Sequence, residues 1–135
     1  MPAFASEEDL RRYVGGIFEH ALADDELGPK LRATGVKVKV QTTAPDAVLI
    51  LDLPRGRIAL GRPSDPADAT MLMASEVINQ FWQGRLNLPV AMARGHVTVD
   101  GKMEPLLALV PSTTPLFPAY IELLKRDGRE DLLAT

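Results

Sequence analysis

The side chains able to do chemistry are few in this chain, and they stand apart. There are two histidines, His20 and His96, and no cysteine, which excludes disulfides, thiolate catalysis and zinc-thiolate sites together. His20 lies one residue off the apolar stripe of a predicted helix and His96 opens a predicted strand, positions that suit a surface or boundary role better than catalysis or metal binding. Asp52, Asp68 and Asp100 could pair as acid and base, but Asp68 and Asp100 read first as turn residues. No phosphate loop, dinucleotide fingerprint, nucleophile elbow or H-E-x-x-H helix occurs. The expectation is a chain with no catalytic residue, no metal ligand and no cofactor.

The strong signal is apolar and centres on residues 68–101. Within a dozen residues stand Phe81, Trp82, Leu86, Leu88, Val90 and Met92, interrupted by three turn or helix breakers. Methionines recur nearby at Met71, Met73 and Met103, and methionine fills irregular space and lines adaptable surfaces. Such a stripe is ordinarily core packing. Its other reading is a cavity between sheet and helices for an apolar ligand, since such sites are mostly apolar with a few polar groups.

The elements that must position these residues follow from periodicity. Thr70 to Met73 reads as a strand, Ser75 as the cap of a helix burying Val77, Ile78, Phe81 and Trp82, and Gly84 as its stop. An apolar hook, Leu86 to Ala93, leads through Gly95 into an alternating strand, His96 to Val99, closed by a turn at Asp100 and Gly101. Upstream, Ser6 with Glu7, Glu8 and Asp9 starts a helix whose stripe runs Leu10, Tyr13, Val14, Ile17, Phe18, Ala21, Leu22. Gly15 and Gly16 interrupt it, either to let another element approach or as a tolerated weak spot. A second short helix carries Leu27 and Leu31. Val36 to Gln41 alternates as a half-buried strand, Val48 to Leu53 is apolar on both faces, and Ile58 to Leu60 returns after the Gly56 turn, giving an antiparallel meander. Residues 62–68 form a loop. After Gly101, Pro105 fits the first turn of a short helix, 111–115 is a linker, and a last amphipathic helix carries Phe117, Tyr120, Ile121, Leu123 and Leu124 ahead of Gly128.

Length and composition set the frame. A chain of 135 residues, 46% hydrophobic and 24% charged, supports one core, with 1–128 as the expected domain and 129–135 as a mobile tail. A net charge of -3 with both signs interspersed offers nucleic acid no basic face. No stretch is long and apolar enough for a membrane span, and MPAFASEEDL lacks the basic start and apolar core of a signal peptide, so a cytoplasmic location is expected.

The central stretch resembles the sterol carrier protein-2 (SCP-2 sterol-binding) domain family. The likeness is carried by Asp68, Thr70, Ser75, Phe81, Gly84, Leu86, Asn87, Ala91, Met92, Gly95, Val97, Val99 and Gly101, in order and without gaps, and the meander before them is similar too. It covers roughly residues 10–110. It implies an α+β fold, a mainly antiparallel five-stranded sheet with helices covering one face and an apolar tunnel between them. Members bind or exchange sterols, fatty acids or acyl chains without chemistry. The lining would then draw on Phe81, Trp82, Leu86, Leu88 and Met92, while Met103, Leu107, Phe117, Tyr120 and Ile121 could close it on physical grounds. Lys102, where the family often has an acidic or small polar residue, and the proline-bearing stretch 110–118 depart from the pattern.

The leading expectation is non-enzymatic binding and transfer of an apolar lipid. Burial at roughly 25 cal/mol per Å² gives a long chain useful affinity with few hydrogen bonds. Two rivals stand beside it. A small enzyme or a partner enzyme's accessory subunit would place a titratable group of perturbed pKa at the cavity. A homodimeric interaction module would use the apolar surface as an interface and fill the core with side chains.

Overall fold

The computed structural model describes residues 4–133. Its centre is a five-stranded sheet in the order β3-β2-β1-β4-β5, with β1 at Lys37–Thr43, β2 at Ala47–Asp52, β3 at Arg57–Leu60, β4 at Ala69–Ala74 and β5 at Val97–Gly101. The pairings β1/β2, β2/β3 and β4/β5 are antiparallel, and β1/β4 is parallel. The fold is thus α+β with a mainly antiparallel sheet. The parallel pair arises because β3 must cross the sheet to reach β4. Residues 61–68 make that crossing, and Lys39 Nζ holds them by donating to the carbonyls of Pro63 at 2.5 Å and Asp65 at 3.0 Å.

Alternation decides which face is covered. Val38, Val40 and Thr42 of β1 are buried while Lys37, Lys39 and Gln41 between them are only partly covered, as the sequence alternation requires. The register places Val38 opposite Leu51, Val40 opposite Leu49, and Met71 beside Val40, so the apolar side chains of three strands share one face. The helices lie on that face.

The first helix is one continuous rod built of three pieces: α1 (Glu7–Leu10), a π turn (Arg11–Gly15) and α2 (Gly16–Ala23). Ser6 caps it, its hydroxyl accepting from Asp9 N–H at 3.2 Å. The wide turn ends on Gly15, which is buried. A Cβ there would meet Ile58 of β3 at 3.4 Å and the flexible Arg11 guanidinium at 2.8 Å, whereas one on Gly16 would find only ordinary contact. Close approach therefore belongs to the first glycine alone. The short α3 (Leu27–Ala33) buries Leu27 and Leu31.

Four local expectations are corrected. Ser75 is the first residue of α4 (Ser75–Trp82), not its cap; its hydroxyl donates to the Ala44 carbonyl and joins the helix to the β1–β2 turn. The hook is itself helical, α5 (Leu88–Ala93), capped by Asn87, whose side chain accepts from Val90 N–H at 3.1 Å. Asp100 and Gly101 are not a turn but the end of β5, paired with Thr70 and Ala69. The linker is a helical turn too: after the four-residue α6 (Glu104–Leu107), residues Val110–Leu116 wind as a 3₁₀ helix into α7 (Phe117–Arg126).

Of the expected tail, residues 129–133 do not stand off the body, and 134–135 lie outside the described residues. Residues Glu130–Leu132 form a short 3₁₀ turn, Leu132 is buried, and its carbonyl accepts from Asn79 Nδ2 and Gln83 Nε2, both at 2.8 Å. Arg129 bridges to Asp9 at 2.9 Å, and Arg12 to Asp127 at 2.7 Å, so the two ends of the chain are joined across the first helix. No helix among the described residues is long and apolar enough to cross a membrane.

Candidate functional site: an apolar cavity between sheet and helices

Between the covered face of the sheet and the helices lies a cavity of about 70 Å³. Its floor is Val40 of β1 with Met71 and Met73 of β4. One wall is Phe18 and Ala21 of α2 with Leu27 and Leu31 of α3. The opposite wall is Ile78, Phe81 and Trp82 of α4, continued by Leu86 and Leu88. Met103, Leu106, Leu107, Leu109, Val110 and Thr113 close the remaining side. The Thr113 hydroxyl is turned away to the Val110 carbonyl at 2.6 Å, and no ionisable side chain is among these residues. A single water needs about 10–15 Å³, so there is room for several heavy atoms, with nothing polar to hold water.

Trp82 is the hub of the α4 wall. Its ring meets Phe18 at 5.2 Å, Phe81 at 5.1 Å and Phe117 at 6.3 Å, all edge to face, the arrangement that aromatic quadrupoles favour. Gly84 makes this possible. Its φ of +74° ends α4 in the left-handed region, and a Cβ at that position would come within 2.9 Å of the Phe117 ring.

Of the ten residues expected to line or close a tunnel, six stand on this cavity: Phe81, Trp82, Leu86, Leu88, Met103 and Leu107. Phe117 touches it only through Phe81 and Trp82. Met92, on α5, is half-buried against the core, Ile121, on α7, is half-buried, and neither is part of the wall. Tyr120 is fully buried elsewhere. Its phenol donates to Asn79 Oδ1 at 2.7 Å, within a polar knot that also contains Gln83 and the Leu132 carbonyl. Burial raises the Tyr120 pKa well above its usual value, so the phenol stays neutral and keeps its donor.

Sequence reading missed the α2 and α3 wall, since Phe18, Ala21, Leu27 and Leu31 read simply as core stripe. It also missed Leu106, Leu109 and Val110. These three are only half-buried, and a loosely covered apolar run after a proline-started helix was the available signal. His20 and His96 are both exposed and away from the cavity. The three aspartates have separate duties: Asp52 pairs with Arg55 at 3.1 Å, Asp68 accepts from Lys37 N–H at 2.8 Å, and Asp100 from Gly101 N–H at 3.0 Å. Among the described residues no group of three metal-ligating side chains converges.

Residues 17–111 match the SCP-2 sterol transfer family, and the chain belongs to that family. Three solved structures with the same fold are similar to it. The sterol carrier protein domain 2 of Helicoverpa armigera is 16% identical, with a TM-score of 0.64 over 83% of this chain and 94% of that one. Sterol carrier protein 2 like 2 of Aedes aegypti is 20% identical, with a TM-score of 0.58 over 76% and 94%. The palmitated form of that Aedes aegypti protein is 20% identical, with a TM-score of 0.57 over 78% and 94%. At these identities the likeness is one of fold. No curated protein sequence matches the chain significantly.

Proposed function

We propose that the protein binds a single apolar lipid chain in the cavity between sheet and helices and passes it on unchanged. The observation that carries this reading is the wall: apolar side chains from the sheet, α2, α3, α4 and the 103–113 segment converge on one space and bring no ionisable group to it. Affinity then comes from burial alone, at roughly 25 cal/mol per Å² of apolar surface. Membership of a sterol transfer family supports apolar cargo, and a fold neighbour described as palmitated supports an acyl chain among the possible cargoes. A reading as an enzyme would need an acid, base or nucleophile at the cavity.

At about 70 Å³ the space holds a fraction of such a ligand, so uptake has to push wall side chains outward. The wall that can yield is the one with least behind it. Leu106, Leu107, Leu109 and Val110 are half-buried, and α6 buries none of its residues. Access through this segment is the route of least cost, because the sheet floor and the α4 aromatic cluster are held by many more contacts.

Native mass spectrometry of gently purified protein, before and after organic extraction, tests the reading. The expected result is a mass excess that extraction removes and that corresponds to one lipid. Trp82 is the chain's one tryptophan, so its fluorescence reports directly on the wall. Protein that carries no lipid, and whose tryptophan emission is unmoved by long-chain ligands, would refute the proposal.

A further inference from the structure

The outward side of α5 is apolar where a surface helix is ordinarily charged. Leu88 and Ala91 are its buried residues, and Leu88 stands on the cavity wall. Pro89, Val90 and Ala93 are exposed, Met92 is half-buried, and the helix has no polar side chain. Val90, 42% exposed, is the most open large hydrophobic residue among those described. By contrast α7 turns Glu122, Lys125 and Arg126 to solvent.

The charge around this hook has one sign. No Asp or Glu stands between Glu76 and Asp100, although the whole chain has a net charge of -3. Arg85 precedes α5 and Arg94 follows it; both are exposed, and among the described residues neither is in an ion pair. The first helix offers nothing comparable. Its outward charges include Glu7, Glu8 and Glu19, and its two arginines are held by Glu19 and Asp127.

We propose that the hook from Arg85 to Arg94 docks the protein on an anionic bilayer surface, with Pro89 and Val90 entering the headgroup boundary and Arg85 and Arg94 meeting lipid phosphates. Interfacial binding of this kind draws on buried apolar area and on attraction between basic side chains and anionic lipid, and the hook supplies both. Charge also selects the partner. A protein face presents both signs, whereas an anionic leaflet presents one, and this hook carries only the opposite one. Six residues of helix bury little, so the attachment is weak and reversible, as a carrier that must leave again requires. Because Leu88 of the same helix lines the cavity, docking brings the ligand space within one helix thickness, about 10 Å, of the bilayer. The docking surface goes beyond the carrier reading and is tested apart from it.

The test mixes the full chain with vesicles of phosphatidylcholine, with and without phosphatidylglycerol, and measures the bound fraction by flotation. Binding is expected on the anionic vesicles, weakening as salt is added, with little on phosphatidylcholine alone. Replacing both arginines, Arg85→Gln with Arg94→Gln, is expected to lower the partition about tenfold, and Val90→Ser about fivefold. All three side chains are exposed, so these variants keep the native denaturation midpoint. The sequence has no cysteine, so Val90→Cys carries a polarity-sensitive fluorophore without background. Its emission is expected to move to the blue on anionic vesicles. The same label at Leu72→Cys, on the sheet face opposite the cavity-lining Met71 and Met73, is expected to stay in place. Equal binding to both kinds of vesicle, or a shift at Leu72 and none at Val90, overturns the docking surface. A patch built for a protein partner leaves both vesicles unbound, which also overturns it; extractable lipid on that same protein would leave the carrier reading standing.

Discussion

Single residues here do two separable things, and Trp82 and Tyr120 divide them. Both sit on helices that the sequence marks clearly, both are large and both are buried. The family resemblance put Trp82 in the expected lining, and physical inference added Tyr120 as a residue that could close it. What separates them is a polar neighbour: Asn79, three residues before Trp82 on α4, turns its amide towards Tyr120 and Leu132, and so fixes α7 and the C-terminal turn against α4. Nothing in the pattern of apolar residues marks Asn79 as buried, because an asparagine in an amphipathic helix reads as a surface residue until its partners are known. Tyr120→Phe would leave Asn79 Oδ1 buried without that donor. The expected loss of stability is about 1–3 kcal/mol, read as a lower denaturation midpoint at unchanged slope.

At the scale of elements, the strands were legible because the rule of two is unambiguous wherever one face is covered. Val38 and Val40 fall inward and Lys37 and Lys39 outward, as alternation requires. The elements that line the open side of the cavity were not legible to the same degree. Residues 104–116 are short helical turns with prolines at 105, 111 and 115, and only Leu116 among them is buried. Periodicity needs two or three turns to declare itself, and proline removes the backbone donors that would lock each turn in place. This weakness gives a prediction. Amide hydrogen exchange is expected to be fastest, away from the chain ends, in the stretch 104–116, and to slow there more than anywhere else when a long-chain ligand binds. Equal protection of this stretch and of β1 in the ligand-free protein would contradict it.

The whole molecule is closed by charges that join its ends. Asp127 accepts from Arg12 at 2.8 Å and from the Tyr13 phenol at 3.1 Å, and Arg129 sits 5.3 Å from the Tyr13 ring centre while holding Asp9. The Arg12 guanidinium, and then the phenol, hold the Asp127 carboxyl below its usual pKa. A carboxyl whose pKa is lower folded than unfolded adds stability above the unfolded value, near 3.9, and loses it as pH falls through the folded one. Asp127→Asn is therefore expected to be less stable than the native chain at neutral pH, the gap narrowing on acidification below about pH 4 in chemical denaturation. Nothing in the residue pattern marks this closure, since Arg129, Glu130 and Asp131 after a helix-ending glycine look like any solvated tail. The parallel seam between β1 and β4 reaches further. Val40 and Met71 are partners across it and both face the cavity. The meander β1-β2-β3 can form locally, and so can β4 with β5, but the seam joins strands separated in the chain by all of β2, β3 and the crossing loop. Pairings of that kind are slow, and the ligand site does not exist until this one is made. A cargo bound there spans both halves, so it holds together the late-forming join and delays its rupture. Lipid loading should lengthen the lifetime of the folded chain far more than it hastens folding.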